Sequence, residues 1–282
     1  MTTVGDPRKY WLYSDLIEQA KRLASNVVRE QKVSAIAGVP RSGMLAASAA
    51  AIYLGVPLLE ASMDGIRSIS HGRRLDNVRH EGRVLVMEDS LNTGRRFRDL
   101  KRKLGSGYIY SSVFSTPRAK QYADYVGVEL ELPHWFDWWL WGSRHMQMAR
   151  IGTDFDGILC EDCPRDKDTD DQRYIDWMSS VPVLRHAWPY GVPVIITGRL
   201  SKYQHETRQW LDRNHQKAVT LAMGDWPTAA ERRGIAEFKA DQCKKLNLTA
   251  FIESDERQAK IIAERAKIPV PCPAAGWVFG QH

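Results

Sequence analysis

The sequence lacks any apolar run approaching the ~20 residues needed to cross a bilayer. Its polar opening, Met1–Tyr10, has no apolar signal-peptide core, so the expectation is a cytoplasmic protein without a membrane partner. Cysteine is scarce, with Cys160, Cys163, Cys243 and Cys272 the only four in 282 residues. Cys160 and Cys163 form a C-x-x-C, but no second pair completes a zinc module, which argues against metal or redox use. Low-complexity segments and internal repeats are missing too. With 43% hydrophobic and 26% charged residues the composition is ordinary for a globular chain, which argues against large-scale disorder. The length leaves room for two domains, each with its own core.

What is present is a modest basic excess, a net charge of +6. Such a balance suits nucleic acid or small polyanions such as phosphorylated sugars. The basic residues are scattered, apart from Arg73/Arg74, Arg95/Arg96/Arg98 and Lys101/Arg102/Lys103. The last group falls at helical spacing and reads as a solvated face, so nucleic acid is not the expected partner. Nothing here decides the oligomeric state, and a homo-oligomer stays open.

Apolar runs alternate with helical patterns along the whole chain. Leu16, Ala20, Leu23, Ala24, Val27 and Val28 predict a helix over 14–31, capped by Ser14 or Asp15. Strands are predicted at Val33–Gly38, Val56–Glu60, Arg83–Glu88 and Tyr108–Ser115, with helices at Met44–Leu54 and Arg95–Leu104 between them. An aromatic stretch follows, with Trp135, Phe136, Trp138, Trp139 and Trp141. Its alternation suits a strand. The stretch could stack on a base or pack as core, and the preferred reading is packing, with one aromatic, Trp135 or Phe136, reaching the acceptor pocket. A second alternation begins at Ala149–Asp154. It continues through strands at Val192–Thr197, Ala218–Ala222 and Ala250–Ile252, with helices at Tyr203–Asn214, Ile235–Leu246 and Glu256–Ala266. Two α/β domains are expected, 1–147 and 148–282.

The stretch Val84-Leu85-Val86-Met87-Glu88-Asp89-Ser90-Leu91-Asn92-Thr93-Gly94 runs a buried strand into two acids and a small polar loop before a helix. A helix N-terminus suits phosphate. Carboxylates suit sugar hydroxyls, or Mg²⁺ through water. Alone, the stretch could also be a capped turn with solvated acids. It resembles the phosphoribosyl-pyrophosphate (PRPP) signature of type I phosphoribosyltransferases. The resemblance implies that Glu88 and Asp89 hold the ribose hydroxyls while Ser90, Leu91, Asn92, Thr93 and Gly94 hold the 5′-phosphate. Arg95-Arg96 departs from the small hydroxyl residue common after Thr-Gly in that family. Ala37-Gly38-Val39-Pro40-Arg41-Ser42-Gly43-Met44 is similar to the family's pyrophosphate loop, which implies binding by Arg41, Ser42 and Gly43. The polar stretch Ser68–Gly82 resembles its mobile loop, with Arg73 and Arg74 as clamps. The implied reaction is Mg²⁺-dependent displacement of pyrophosphate from PRPP by a base-like acceptor.

Arg150-Ile151-Gly152-Thr153-Asp154-Phe155-Asp156-Gly157 again ends a strand in paired acids. A carboxylate can attack phosphorus when Mg²⁺ offsets the repulsion, and a second can serve as acid and base. A calcium loop would need further ligands that the sequence does not supply. This half resembles the haloacid dehalogenase (HAD) phosphatases, an α/β Rossmannoid fold, and the short intervals between motifs leave no room for a large cap. The resemblance implies that Asp154 is the nucleophile and Asp156 the acid/base. Thr197, in Val194-Ile195-Ile196-Thr197-Gly198-Arg199, would hold the phosphoryl group. Lys239 would offset charge. Asp154, Asp156 and one of Glu253 and Asp255 would bind Mg²⁺. Cys160 and Cys163 would lie near this pocket. A phosphorylated metabolite is the expected substrate, the nucleotide-like product of the first domain or a related phosphate. The rival readings are one catalytic domain beside a regulatory one, or an RNA-binding regulator.

Overall fold

Alternating apolar strands and amphipathic helices build two α/β units in the computed structural model, which describes residues 8–70, 82–141, 150–168, 171–184, 192–216 and 218–280. One unit spans Leu12–His134, and the other combines Met1–Trp11 with Trp135–His282. The first strand, β1 (Arg8–Lys9), therefore belongs to the second unit.

In the first unit, α1 (Tyr13–Glu30) buries Leu16, Ala20, Leu23, Ala24 and Val27. Val28, counted with that face in the sequence, is exposed. The Asp15 carboxylate accepts the Leu12 N–H at 2.9 Å, closing the helix start. There follow β2 (Val33–Gly38), α2 (Gly43–Leu54), β3 (Leu58–Ser62), β4 (Gly65–Ser70), β5 (Arg83–Leu91), α3 (Arg95–Leu104), β6 (Ile109–Ser115) and β7 (Tyr125–Glu129). They form a six-stranded sheet in the order β4-β3-β2-β5-β6-β7. All neighbours are parallel except the β3–β4 hairpin. Every residue of β6 is buried, as expected for a parallel strand covered on both faces. Chain order runs outward from β2 to β3 on one side and from β5 to β6 on the other. Ligands of open α/β sheets collect at the carboxyl ends of strands flanking such a reversal.

The second unit begins its long segment with α4 (Asp137–Leu140). This corrects the strand expected over the aromatic stretch. Phe136, Asp137, Trp138 and Leu140 are all buried while Trp139 is 36% exposed, so burial does not alternate. The Tyr10 hydroxyl donates to Asp137 Oδ1 at 2.7 Å, and Trp11 bridges Phe136 through the backbone. These contacts bring residues 135–141 into the second unit, so the division falls at 134/135 rather than near 147.

Next come β8 (Ile151–Thr153), α5 (Asp171–Ser180), β9 (Val192–Leu200), α6 (Gln204–Arg213), β10 (Ala218–Gly224), α7 (Ile235–Lys245), β11 (Ala250–Ile252), α8 (Glu256–Ala266), β12 (Val270–Cys272) and β13 (Trp277–Phe279). A parallel four-stranded sheet runs β10-β9-β8-β11, and an antiparallel sheet runs β1-β13-β12. Ile196, Phe251, Ala240, Ile262 and Val270 pack α7 and α8 onto β9, β11 and β12. Among the described residues no helix is long and apolar enough to cross a membrane.

Candidate active sites

In the first unit, Gly38 of β2 pairs with Met87 of β5, so the loop after β2 and the acids of β5 lie side by side. The Val39 N–H donates to the Met87 carbonyl at 3.0 Å. Gly43 is required by close approach, since a Cβ there would come within 2.8 Å of Glu88 Oε1 and 2.9 Å of the Met87 carbonyl oxygen. The Ser42 hydroxyl donates to Asp89 Oδ1 at 2.8 Å, and Asp89 is buried. Arg96, the departure noted in the sequence, donates through Nη2 to the Pro40 carbonyl at 3.2 Å. The Pro40–Arg41 peptide is cis. Burial pushes the Glu88 carboxyl well above the usual carboxylate range, Asp89 adds to the effect, and Arg96 opposes it.

The remaining residues of the expected phosphate loop divide. Ser90 and Leu91 lie in β5, not in a loop. Ser90 Oγ is 3.1 Å from His134 Nδ1. Leu91 is a core side chain, packed with Val86 and Phe97, so any contact it makes with a ligand is through its backbone. Asn92 and Thr93 are exposed, and Gly94 is the N-cap of α3. Arg41 is exposed too. Arg73 and Arg74 fall in 71–81, outside the described residues. Phe136 stacks on Trp138 at a centroid distance of 4.5 Å and is core. Trp135 is half-buried in the second unit.

In the second unit the carboxyl ends of three neighbouring parallel strands converge. Asp154 follows β8, Thr197 lies in β9 and Glu253 follows β11. Lys239, from α7, donates to Asp154 Oδ2 and Glu253 Oε2, each at 2.7 Å. All three are buried. Burial raises Asp154 well above the carboxylate range and Glu253 adds to this, while Lys239 opposes it. Burial works against the Lys239 charge, but the two carboxylates outweigh it and raise its pKa. Glu253 Oε1 accepts the N–H groups of Ser254 at 2.9 Å and Asp255 at 3.2 Å. Glu253 is thus fully enclosed, whereas Asp255 lines the cavity and caps α8 by accepting the Gln258 N–H at 2.8 Å.

Asp156 is held differently. Arg199, two residues past Thr197, donates from Nη2 to Asp156 Oδ1 at 2.6 Å and from Nε to Oδ2 at 3.0 Å. The Arg199 side chain is 0% exposed, against 23% for Asp156, and its guanidinium lies 3.8 Å from the Phe155 ring centroid. Cys160 Sγ also contacts Asp156 Oδ1, at 3.3 Å. Burial and Asp156 raise the Cys160 thiol pKa. Burial and Asp168 push Cys163 up to about 12, which leaves both as poor nucleophiles. Gly157 has φ +72°, and a Cβ there would meet the Ser254 side chain. This turn sends the chain away from the acids.

These groups line a cavity of about 370 Å³ that includes Asp154, Asp156, Thr197, Lys239 and Asp255. Asp162, Asp168, Tyr174, Arg232 and Gln258, none of which the motifs pointed to, also line it. Arg232 and Asp168 form an ion pair there. Arg199 carried a usable signal, its place directly after Thr197-Gly198. The wall residues had none.

Oxygen donors facing the cavity suit a hard cation. Among the described residues, however, no group of three or more His, Cys, Asp or Glu side chains converges in a metal-holding arrangement. Mg²⁺ fits the donors nonetheless, because it retains several waters and needs only one or two carboxylates. Asp154, Asp156 and Asp255 line the cavity, and Glu253 does not.

No family model matches the chain, and no curated protein matches it. It is similar to solved structures of phosphoribosyltransferases over less than half its length. The Helicobacter pylori xanthine-guanine-hypoxanthine phosphoribosyltransferase is 17% identical, with a TM-score of 0.34 over 46% of this chain and 92% of that one. The Pyrococcus horikoshii purine phosphoribosyltransferase is 21% identical, with a TM-score of 0.35 over the same shares. The Aeropyrum pernix orotate phosphoribosyltransferase is 16% identical, with a TM-score of 0.30 over 42% and 70%.

Proposed function

We propose that the chain is a Mg²⁺-dependent enzyme of two activities. The first unit transfers the phosphoribosyl group of PRPP to a base-like acceptor, releasing pyrophosphate. The second hydrolyses a phosphate monoester through an aspartyl-phosphate. One observation carries both halves: motifs far apart in sequence meet at the ends of adjacent parallel strands. Ser42 reaches Asp89, and Lys239 reaches both Asp154 and Glu253.

In the first unit Glu88 and Asp89 would accept the ribose hydroxyls. Arg41 and the backbone of loop 39–43 would carry the diphosphate charge as the bond to C1 breaks. Ser90 to Gly94 would hold the 5′-phosphate at the start of α3. Arg73 and Arg74 would clamp the substrate. In the second unit Asp154 would attack phosphorus, forming a P–O bond as the ester oxygen leaves with a proton from Asp156. Water, deprotonated by Asp156, would then cleave the acyl phosphate and release phosphate. Thr197 and Lys239 would hold the phosphoryl oxygens. Mg²⁺, when bound by Asp154, Asp156 and Asp255, would offset the repulsion between carboxylate and phosphate.

The two steps would be consecutive, the second removing the 5′-phosphate of the first unit's product. The test is pyrophosphate release from PRPP across a panel of bases, with aryl phosphate hydrolysis by the same purified chain. Salt-dependent RNA affinity with neither turnover would favour the regulator instead.

A further inference from the structure

Two polar side chains that line the second unit's cavity are left incomplete by the fold. Tyr174, from α5, is 3% exposed, and among the described residues its hydroxyl meets no hydrogen-bond partner. Its ring is fixed by Tyr203 at a centroid distance of 4.7 Å and by Trp177 at 5.6 Å. The Tyr203 hydroxyl is itself anchored on Asp171 Oδ1 at 2.7 Å. Burial pushes the Tyr174 phenol's pKa up, Asp156 adds to this and Arg199 opposes it, so the hydroxyl keeps its proton to donate. Gln258, in the first turn of α8, buries Oε1 without a partner. A buried polar group without a partner is destabilising, and native proteins keep few of them. The charges nearby limit what can serve. Both lining cations, Arg232 and Lys239, are already paired with carboxylates, and Asp162 has no ion-pair partner among the described residues. An anion beyond the phosphoryl group would thus meet Asp162 without a free cation to receive it. An ammonium cannot accept the phenol's proton. A hydroxyl both accepts and donates, and so answers Tyr174 and Gln258 alike.

We infer that Tyr174 is a specificity-determining residue of this cavity, donating to a hydroxyl of the leaving group, and that the second unit's substrates are phosphate monoesters of neutral, polyhydroxylated alcohols of the sugar type. The inference rests on the phosphatase reading above and adds the part of the substrate that the cavity reads. Asp154, Thr197 and Lys239 serve the phosphoryl group and are indifferent to what it is attached to. Tyr174 is held in place before any substrate arrives, so it forms its bond with little loss of rotamer freedom. A leaving group without hydroxyls displaces water from Tyr174 and offers it no partner in return. Sites built around a substrate hydroxyl reject such analogues far more strongly than apolar pockets reject a missing methylene.

Hydrolysis by the full chain in excess Mg²⁺ tests this with ribose 5-phosphate and n-pentyl phosphate, primary esters of equal carbon number that differ in their hydroxyls. In the wild type kcat/KM should favour ribose 5-phosphate about 100-fold or more. Tyr174→Phe keeps the ring against Tyr203 and Trp177 and should cut that ratio about 10-fold or more. Comparing ratios cancels the intrinsic reactivity of the two leaving groups. A merely structural Tyr174 would slow both esters in equal proportion, and an unchanged ratio overturns the inference. Gln258→Leu should lower the ratio in the same direction and serves if Tyr174→Phe does not fold. The 5-phosphate of ribonate, with a carboxylate in place of the aldehyde, should be hydrolysed about 10-fold less efficiently than ribose 5-phosphate or worse. Equal turnover of the two overturns the restriction to neutral leaving groups. A wild type that hydrolyses the pentyl ester as efficiently as ribose 5-phosphate, or an aryl phosphate and neither of them, overturns the inference and leaves the phosphatase reading standing. Hydrolysis of none of these esters removes both.

Discussion

The two units each carry closely spaced acids in or just after a central parallel strand, but they hold those acids by different means. Glu88 and Asp89 are met by a hydroxyl, backbone groups and one exposed arginine. Asp154 and Asp156 are met by the buried cations Lys239 and Arg199. The difference follows from electrostatics. A carboxylate removed from water must be neutralised by a proton or matched by a nearby charge. Burial raises the pKa of both Glu88 and Asp154, and it is opposed by the exposed Arg96 in the first unit and by the buried Lys239 in the second. The second brings in lysine and arginine, and so keeps a ready set of charges around its cavity.

Four substitutions sharpen or break that contrast. The largest effect is expected from Asp154→Asn, which should lower aryl phosphate hydrolysis by roughly 10⁴-fold or more, as losses of nucleophiles do. Pyrophosphate release from PRPP should be unchanged, and the product should keep its phosphate, as read by mass spectrometry. Next is Lys239→Met. It leaves Asp154 and Glu253 buried with no cation between them and should destabilise the second unit by about 3–5 kcal/mol in denaturant melts. An unchanged midpoint would mean that Lys239 does not hold the acids. Asp89→Asn should slow PRPP turnover roughly 100-fold with little change in fold stability. Wild-type turnover in that variant would remove Asp89 from the site. The smallest effect belongs to Glu88→Gln, a neutral isostere of an already protonation-prone carboxyl, which should change stability by less than ~1 kcal/mol. A loss as large as that of Lys239→Met would show that the two acid sets are held alike.

The parallel cores were legible because buried strands of such sheets are short continuous apolar runs. The predicted Val33–Gly38, Ala250–Ile252 and Glu256–Ala266 match β2, β11 and α8 residue for residue. The polar β4 lacks an apolar run, β12 and β13 are interrupted or bordered by Pro and Gly, and the four residues of α4 span little more than one helical turn, too few to show a periodic face. The acids and Lys239 stood out because few residue types can do their chemistry. Ser42 stood out with its loop and Arg199 by its place after Thr197-Gly198, but the carboxylate that each meets is decided by the fold and not by its neighbours in sequence.

The pairing of β1 with β13 has a consequence for the making of the protein. Tyr10 and Trp11 lock to Asp137 and Phe136, so the Leu12–His134 unit is spliced, in chain order, into the middle of its partner. During vectorial synthesis the inserted unit is complete long before β13 emerges, while β1 waits unpaired. A single cut cannot separate the two units cleanly. A fragment starting at Trp135 leaves β13 without its edge strand and Asp137 without the Tyr10 hydroxyl. The independently expressible version of that unit is one in which 8–11 is joined directly to 135–280, with the insert excised as a loop.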